Sequence, residues 1–411
     1  MEASKTSYPK EKIKVLFLEN ISDLAVKNFR SQGYSNVEKI NKSLSEEDLV
    51  KEIRDVHILG IRSKTRITKN ILDAAQRLQA IGCFCTGVNQ VDIKSATTKG
   101  IVVFNAPYSN TRSVAELVIG AAIMLLRRVP DKDKAAHNGL WMKDSKSSYE
   151  LRGKTMGIIG YGNIGMQVSV MAEGLGMKVV FYDEETKLPM GNAEYINSIK
   201  ELMGISDVIT LHMPETPQTK NFIDKTTLRY CKKGCILINF ARGRLIDAEA
   251  LRAALLEGQV GGAAIDVFPD EPEKNGDPFA SVLQQVPNVL LTPHIGGSTE
   301  EAQQNIGEDV SIKLLNFLEK GITLGSNTVP ALALPPQEGS HRILHIHYNV
   351  PGVLSEINTQ LSRNNINILA QYLKTNEEIG YVVLDVNRQL SGKALQLLKE
   401  VKQTIKVRML Y

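Results

Sequence analysis

Gly160-Tyr161-Gly162-Asn163-Ile164-Gly165 is the stretch whose reading decides the fold. Its spacing is G-x-G-x-x-G, with an apolar run over 156–159 before it and an apolar helical pattern through Val168 and Met171 after it. That context makes it a tight turn between a strand and a helix. The first glycine permits the turn, the second lets backbone N–H groups approach a pyrophosphate, and the third lets helix and strand pack closely. The helix start adds positive potential for phosphates. Three glycines near a turn are weak evidence alone, but Asp183 stands at the end of the next apolar run, where a carboxylate takes ribose hydroxyls. Glu184 and Glu185 follow, and no arginine is placed to receive a 2′-phosphate. A phosphate beside this carboxylate would cost about 4 kcal/mol per unit charge at roughly 4 Å in an effective dielectric of about 20. The expected cofactor is NAD.

Working outward, further apolar runs lie at 178–182, 208–211, 235–239, 262–267 and 289–292, alternating with helical stretches. Six strands joined this way predict a doubly wound Rossmann-type sheet. Before it, runs at 14–18, 58–61, 78–83 and 102–104 alternate with helices over 46–54 and 69–76, and predict a second parallel, flavodoxin-like sheet. A long apolar helix is expected over 112–127, capped by Ser113 and stopped by Pro130. A helix over 298–318 follows the second series and is expected to return to the first domain. The domains so read are 1–108 with 299–335 (discontinuous, substrate-binding) and 109–298 (cofactor). The prolines of 330–339 form a linker, and 339–411 reads β-α-β-β-α-β, a ferredoxin-like third domain.

Bulk properties exclude several classes. The 411 residues are too many for one core, and a net charge of +4 from 49 basic and 45 acidic side chains leaves no nucleic-acid footprint. The polar N-terminal stretch has no apolar core, so no secretory signal is expected from it, and the longest apolar run, 117–126, is too short to span a membrane. Cys83, Cys85, Cys231 and Cys235 match neither zinc nor thioredoxin spacing and read as thiols in a reducing compartment. Cytoplasm is the expected location, with no metal, nucleic-acid or membrane partner.

Three segments carry the chemistry: Asn239-Phe-Ala-Arg242-Gly243, Asp266-Val-Phe-Pro-Asp-Glu271-Pro272 and Thr292-Pro-His294-Ile-Gly296-Gly297. Each follows the C-terminal end of a predicted strand, where an open α/β sheet gathers its ligands. Singly they read as a loop charge, a solvated turn and a core histidine. Together, beside a cofactor turn, they read as a site. Oxidising a secondary alcohol needs a base for the hydroxyl proton, and a histidine near neutral pKa suits that duty. His294 is the base, Glu271 fixes its tautomer, and Arg242 holds a carboxylate through its planar fork.

With these residues in order, the sequence resembles the D-2-hydroxyacid dehydrogenase family over its whole length. It is closest to the branch that oxidises 3-phospho-D-glycerate at the start of L-serine biosynthesis. Gly60-Ile-Arg-Ser-Lys-Thr65, the run 81–90, the run 104–116 and the ACT-like C-terminal domain carry that closer likeness. The resemblance implies that Asp266, His212, Pro214, Gly296 and Gly297 line the NAD groove. It implies that Arg62, Ser63 and Asn110 join Arg242 in holding the substrate, and that L-serine binds as effector at His347, Asn349 and, from a paired domain, Asn367. It also implies a homo-oligomer, with a dimer through the 112–127 helix and the 139–143 segment, extended to a tetramer by the ACT domains. Phe240 departs from the small residue usual there and is expected to reshape the nicotinamide pocket. Two rivals are another hydroxyacid dehydrogenase, acting on glycerate, lactate or 2-hydroxyglutarate, and an NAD-sensing scaffold of the same fold. The scaffold needs neither an ACT-like domain nor an arginine aimed at a phosphate.

Overall fold

A computed structural model describes residues 8–272 and 276–410. It contains two compact units, one running up to Ser109 and resuming at Gln303, the other spanning Asn110–Ala302.

The first unit holds a parallel sheet of β1 (Val15–Phe17), β2 (Val37–Lys39), β3 (Ile58–Ile61), β4 (Ala80–Cys83) and β5 (Val102–Asn105), in the order β2-β1-β3-β4-β5. Every residue of β1, β3, β4 and β5 is buried, which is why these strands read as continuous apolar runs and not as alternating ones. β2, polar in two of its three residues, and the helices Asp23–Ser31 and Ile93–Thr98 were not legible as separate elements.

The second unit carries β6 (Thr155–Ile159), β7 (Lys178–Tyr182), β8 (Glu194–Tyr195), β9 (Val208–Leu211), β10 (Cys235–Asn239), β11 (Val260–Ile265) and β12 (Val289–Leu291), ordered β12-β11-β10-β9-β6-β7-β8. The order reverses between β6 and β9, the switch point where such sheets open a crevice. The two-residue edge strand β8 adds a seventh strand to the six expected. Thr111–Leu126 forms the apolar helix, but its N-cap is Asn110. Ser113 lies inside it, and the Ser113 hydroxyl meets that of Thr299 at 2.9 Å. Pro130 does not merely follow this helix. It stands in the first turn of another, Val129–His137, where its missing N–H costs nothing. The left-handed Arg128 (φ 52°) turns the chain between them.

The C-terminal sheet, β13 (His341–Tyr348), β14 (Ile368–Thr375), β15 (Ile379–Val386) and β16 (Thr404–Leu410), is antiparallel in the order β14-β15-β13-β16, the ferredoxin-like arrangement. It shares a hydrophobic core with the first sheet: Leu344, Ile346, Tyr381 and Val383 pack with Phe104, Leu314 and Phe317. A helix end leaves carbonyls without partners. At the end of the helix Glu300–Lys320, the C-terminal domain supplies the donors. Arg408 Nη2 donates to Phe317 O (2.7 Å) and Leu318 O (3.1 Å), Arg342 Nη1 to Lys320 O (3.1 Å), and the Tyr381 hydroxyl to Gly321 O (2.6 Å). No helix among the described residues is long and apolar enough to cross a membrane.

Candidate active site

The glycine turn follows β6 at the switch point. Gly160 has φ 95°, and a Cβ there would lie 2.6 Å from the backbone C and O of His212, at the end of β9. A Cβ on Gly165 would collide with the Gly160 carbonyl, whereas one on Gly162 would meet nothing within 4 Å. Gly160 and Gly165 therefore permit close packing, and Gly162 keeps open the side a pyrophosphate approaches. Asn163 and Ile164 begin the helix Asn163–Gly174, whose first N–H groups face that side unsatisfied by any side-chain cap. Asp183, at the end of β7, accepts from Tyr161 N (2.7 Å) and Glu185 N (3.0 Å), so the acid is tied to the glycine turn itself. The His212 ring meets the Thr210 hydroxyl at 2.9 Å, and burial holds it neutral with a pKa lowered to about 3. Pro214 follows just beyond it, exposed. This surface fits a dinucleotide.

One strand over, β10 ends at Asn239, whose Nδ2 donates to Arg242 O at 2.9 Å and shapes the Arg242 turn. Gly243 has no room for a side chain: a Cβ there would collide with the carbonyl of Phe268. The Arg-Gly pair is thus seated on the 268–271 loop, which leaves β11. In that loop Glu271 Oε1 accepts from Phe268 N (3.1 Å), and Oε2 lies 2.8 Å from His294 Nδ1. Glu271 raises the His294 pKa above its ordinary value, chiefly through this hydrogen bond and against the opposing effect of burial. The Glu271 carboxyl is lowered: burial pushes it up, but the bonds from His294 and Phe268, with the charges of His294 and Arg242, prevail. With Glu271 ionised, Nδ1 carries the proton and Nε2 is left as the basic nitrogen. Arg242 is exposed, with its Nη1 on Ala241 O at 2.7 Å.

Asp266, which the resemblance assigns to the nicotinamide, is held by the protein's own loop after β12. It is 1 % exposed, and its carboxylate accepts from the Thr292 hydroxyl (2.6 Å), Ile295 N (2.8 Å) and Gly296 N (2.8 Å). Its own carbonyl accepts from His294 N at 2.8 Å. It therefore moulds the loop that presents His294, which itself sits at φ 53°. Thr292 belongs to this arrangement and was not singled out in the sequence, although it opens the Thr-Pro-His segment. Gly296 approaches Asp266, and Gly297 abuts the Asn110 amide so closely that a Cβ would overlap it. Phe240 is buried, in the same hydrophobic cluster as Ile238 and Val114.

Arg62 and Ser63 follow β3 in the other unit. In the C-terminal domain His347 is buried with its ring against Gly380, and Nδ1 has no hydrogen-bond partner among the described residues. Asn349 is exposed, its Nδ2 donating to Asn376 O at 2.6 Å. Asn367 does not join them within one chain. The register pairs His347 with Gly380, but Ile368, next to Asn367, with Val386. Six residues of strand, roughly 20 Å, separate the two ends.

The reversed strand order, the glycine turn with its acid, and the histidine–glutamate pair define an NAD-dependent oxidoreductase. The chain belongs to the D-isomer-specific 2-hydroxyacid dehydrogenase family. Residues 119–296 match the D-isomer specific 2-hydroxyacid dehydrogenase, NAD binding domain, and 343–407 match an ACT domain like that of the AHAS small subunit. Among curated relatives, D-3-phosphoglycerate dehydrogenase of Haemophilus influenzae is 48 % identical over 408 residues, covering 99 % of this chain and 100 % of that protein. The protein of the same name from Escherichia coli K12 is 49 % identical over 410 residues, with 99 % and 100 % covered. That from Dictyostelium discoideum is 47 % identical over 406 residues, with 99 % of each covered. Among solved structures, the TT0316 protein of Thermus thermophilus matches with a TM-score of 0.65 at 32 % identity, covering 74 % of this chain and 97 % of that one. D-lactate dehydrogenase of Aquifex aeolicus, complexed with NAD and lactic acid, has a TM-score of 0.65 at 26 % identity, covering 77 % and 100 %.

Proposed function

We propose that the protein oxidises 3-phospho-D-glycerate to 3-phosphohydroxypyruvate with NAD, the first step of L-serine biosynthesis. The observation that carries this is the His294–Glu271 pair beside Arg242 on an NAD-binding sheet, in a chain about half identical, end to end, to proteins bearing that activity in their names. Bound NAD supplies the hydride acceptor. Arg242 holds the substrate carboxylate and the 2-oxygen by its bidentate fork. His294 Nε2 takes the hydroxyl proton as the C–H electron pair leaves with the hydride, so the product is the ketone and His294 is protonated on both ring nitrogens. Glu271 stabilises that imidazolium and keeps Nε2 aimed at the substrate. Arg62 and Ser63 take the phosphate, with Asn110 as a neutral donor. The test is NADH absorbance with NAD and 3-phosphoglycerate, against D-glycerate, D-lactate and D-2-hydroxyglutarate. His294→Ala is expected to lower turnover by about 10² to 10⁴ while NADH still binds. Faster turnover of an unphosphorylated acid, or an active His294→Ala variant, contradicts the reading.

Free L-serine is the effector in this reading, held at His347 and Asn349 of one copy and Asn367 of another. The unpartnered Nδ1 of His347 and the register that parts Asn367 from it both support a site completed by pairing. Loss of rate at millimolar serine, abolished by Asn349→Ala, is the expected result. The assembly is a tetramer, supported by the exposed apolar run Leu140, Trp141 and Met142 and by Leu369 and Leu373 on the edge strand β14. Light scattering that reads a monomer at micromolar concentration contradicts it. The four free thiols suit the cytoplasm.

A further inference from the structure

Glu19 is a carboxylate only 7 % exposed, just beyond β1, in a left-handed conformation (φ 60°) that is followed by another at Asn20 (φ 53°). Two consecutive non-glycine residues in that region are uncommon and persist only where the surroundings enforce them. What enforces them here is the loop after β3. Glu19 Oε1 accepts from Arg62 N (3.2 Å) and Thr65 N (2.8 Å), and Oε2 accepts from Lys64 N (3.0 Å). The Arg62 carbonyl is held from the opposite side, by Gln90 Nε2 at 2.8 Å. Both main-chain polar groups of Arg62 are thus fixed by side chains of other loops. Its guanidinium, by contrast, has no hydrogen-bond or ion-pair partner among the described residues. Ser63, between two clamped amides, is exposed.

The buried acid therefore ignores the cation beside it and binds the peptide backbone. An Arg62–Glu19 ion pair would neutralise the group that an anionic ligand needs, whereas three N–H bonds satisfy Glu19 and leave Arg62 free. We infer that Glu19 is a positioning residue for substrate binding: it holds the 62–65 loop so that Arg62 and Ser63 face the substrate's phosphate with little conformational freedom left to lose. The inference rests on the proposed assignment of that phosphate to Arg62. Preorganised donors raise affinity by reducing the ordering cost of binding, so the effect falls on KM for the phosphorylated substrate and not on the hydride step.

The experiment is steady-state kinetics of Glu19→Gln, Arg62→Ala and the double variant of the full chain. NADH fluorescence titration serves as the fold control, and hydrogen exchange reads the amides of residues 62, 64 and 65. Glu19→Gln keeps the shape but loses the charge and one acceptor oxygen. It is expected to raise KM for 3-phosphoglycerate about tenfold, the loss of roughly one charge-assisted hydrogen bond, with kcat and KM for NAD little changed and the three amides exchanging faster. In the double variant the rise in KM should be clearly smaller than the product of the two single rises, because Arg62 is one of the groups that Glu19 positions. If Glu19→Gln leaves KM unchanged, or if the two costs multiply, the inference is overturned while the Arg62 assignment stands. If Arg62→Ala itself leaves KM unchanged, the assignment falls and the inference with it. Should Glu19→Gln not fold, Glu19→Asp retains the charge on a shorter arm. It is read the same way, with a smaller rise in KM expected and an unchanged KM overturning the inference.

Discussion

His294 Nδ1 and Glu271 Oε2 lie 2.8 Å apart, on loops that leave adjacent parallel strands β11 and β12 and are 23 residues apart in the chain. The contact gives the imidazole one defined tautomer and a pKa above its ordinary 6.5. Glu271 accepts a second bond from Phe268 N, so the orienting acid is itself held in place.

Alcohol oxidation needs His294 neutral, so the rate at low pH should rise with pH through the raised pKa of His294. Glu271→Gln removes the group that raises it. The acid limb of the pH–rate profile should then move to lower pH, while kcat at the plateau falls because the tautomer is no longer enforced. The pair's contribution to stability has the opposite sign. A raised histidine stabilises fully below its unfolded value, near 6.5, and that stabilisation is lost as pH rises through the folded value. A limb that stays in place in Glu271→Gln would sink this account.

Asp183 should set the choice of dinucleotide. Asp183→Ala removes the acid and also the acceptor for Tyr161 N. NAD binding is expected to weaken by about tenfold or more, with the gap to NADP narrowed, as binding titrations with both cofactors would read. Preference of the unmodified protein for NADP would contradict it.

Gly243 is a packing position as much as a turn. Gly243→Ala drives a methyl into the Phe268 carbonyl, a backbone atom that cannot rotate away. Overpacking of this kind costs about 1–3 kcal/mol. It should also part Arg242 from the Glu271 loop, so kcat/KM should fall more than denaturant midpoint alone explains. Equal kcat/KM in the two proteins would show that the loops tolerate separation.

Arg342 and Asp385 form a bidentate pair, Nε–Oδ1 at 2.7 Å and Nη2–Oδ2 at 2.8 Å, with side chains 1 % and 9 % exposed. Arg342→Met strands the buried carboxylate and removes a donor from Lys320 O. Urea denaturation should record a loss of about 3–5 kcal/mol. Asp385→Asn with Arg342→Met should recover part of it, because the uncompensated charge is then gone.

The primary structure alone determined the elements built from neighbours: the turn at Gly160–Gly165, whose spacing is its function, and the buried strands β3, β6 and β9, whose apolar runs admit no solvent face. It also marked Arg242, Glu271 and His294, because each follows such a run. Short or polar elements escaped it. β8 has two residues, and Pro130 marks a helix stop as readily as the helix start it occupies. What only the tertiary structure decided are the bonds between distant residues. Glu19 holds Thr65 across 46 positions, Arg342 meets Asp385 across 43, and Asp266 moulds the His294 loop from 26 to 30 positions away. Periodicity and turn chemistry act within about four residues, whereas these partners are chosen by strand order and by which loops emerge side by side at a sheet's edge. No local pattern distinguishes Glu19 from a solvated acid. Its partners do not exist until β1 and β3 lie together.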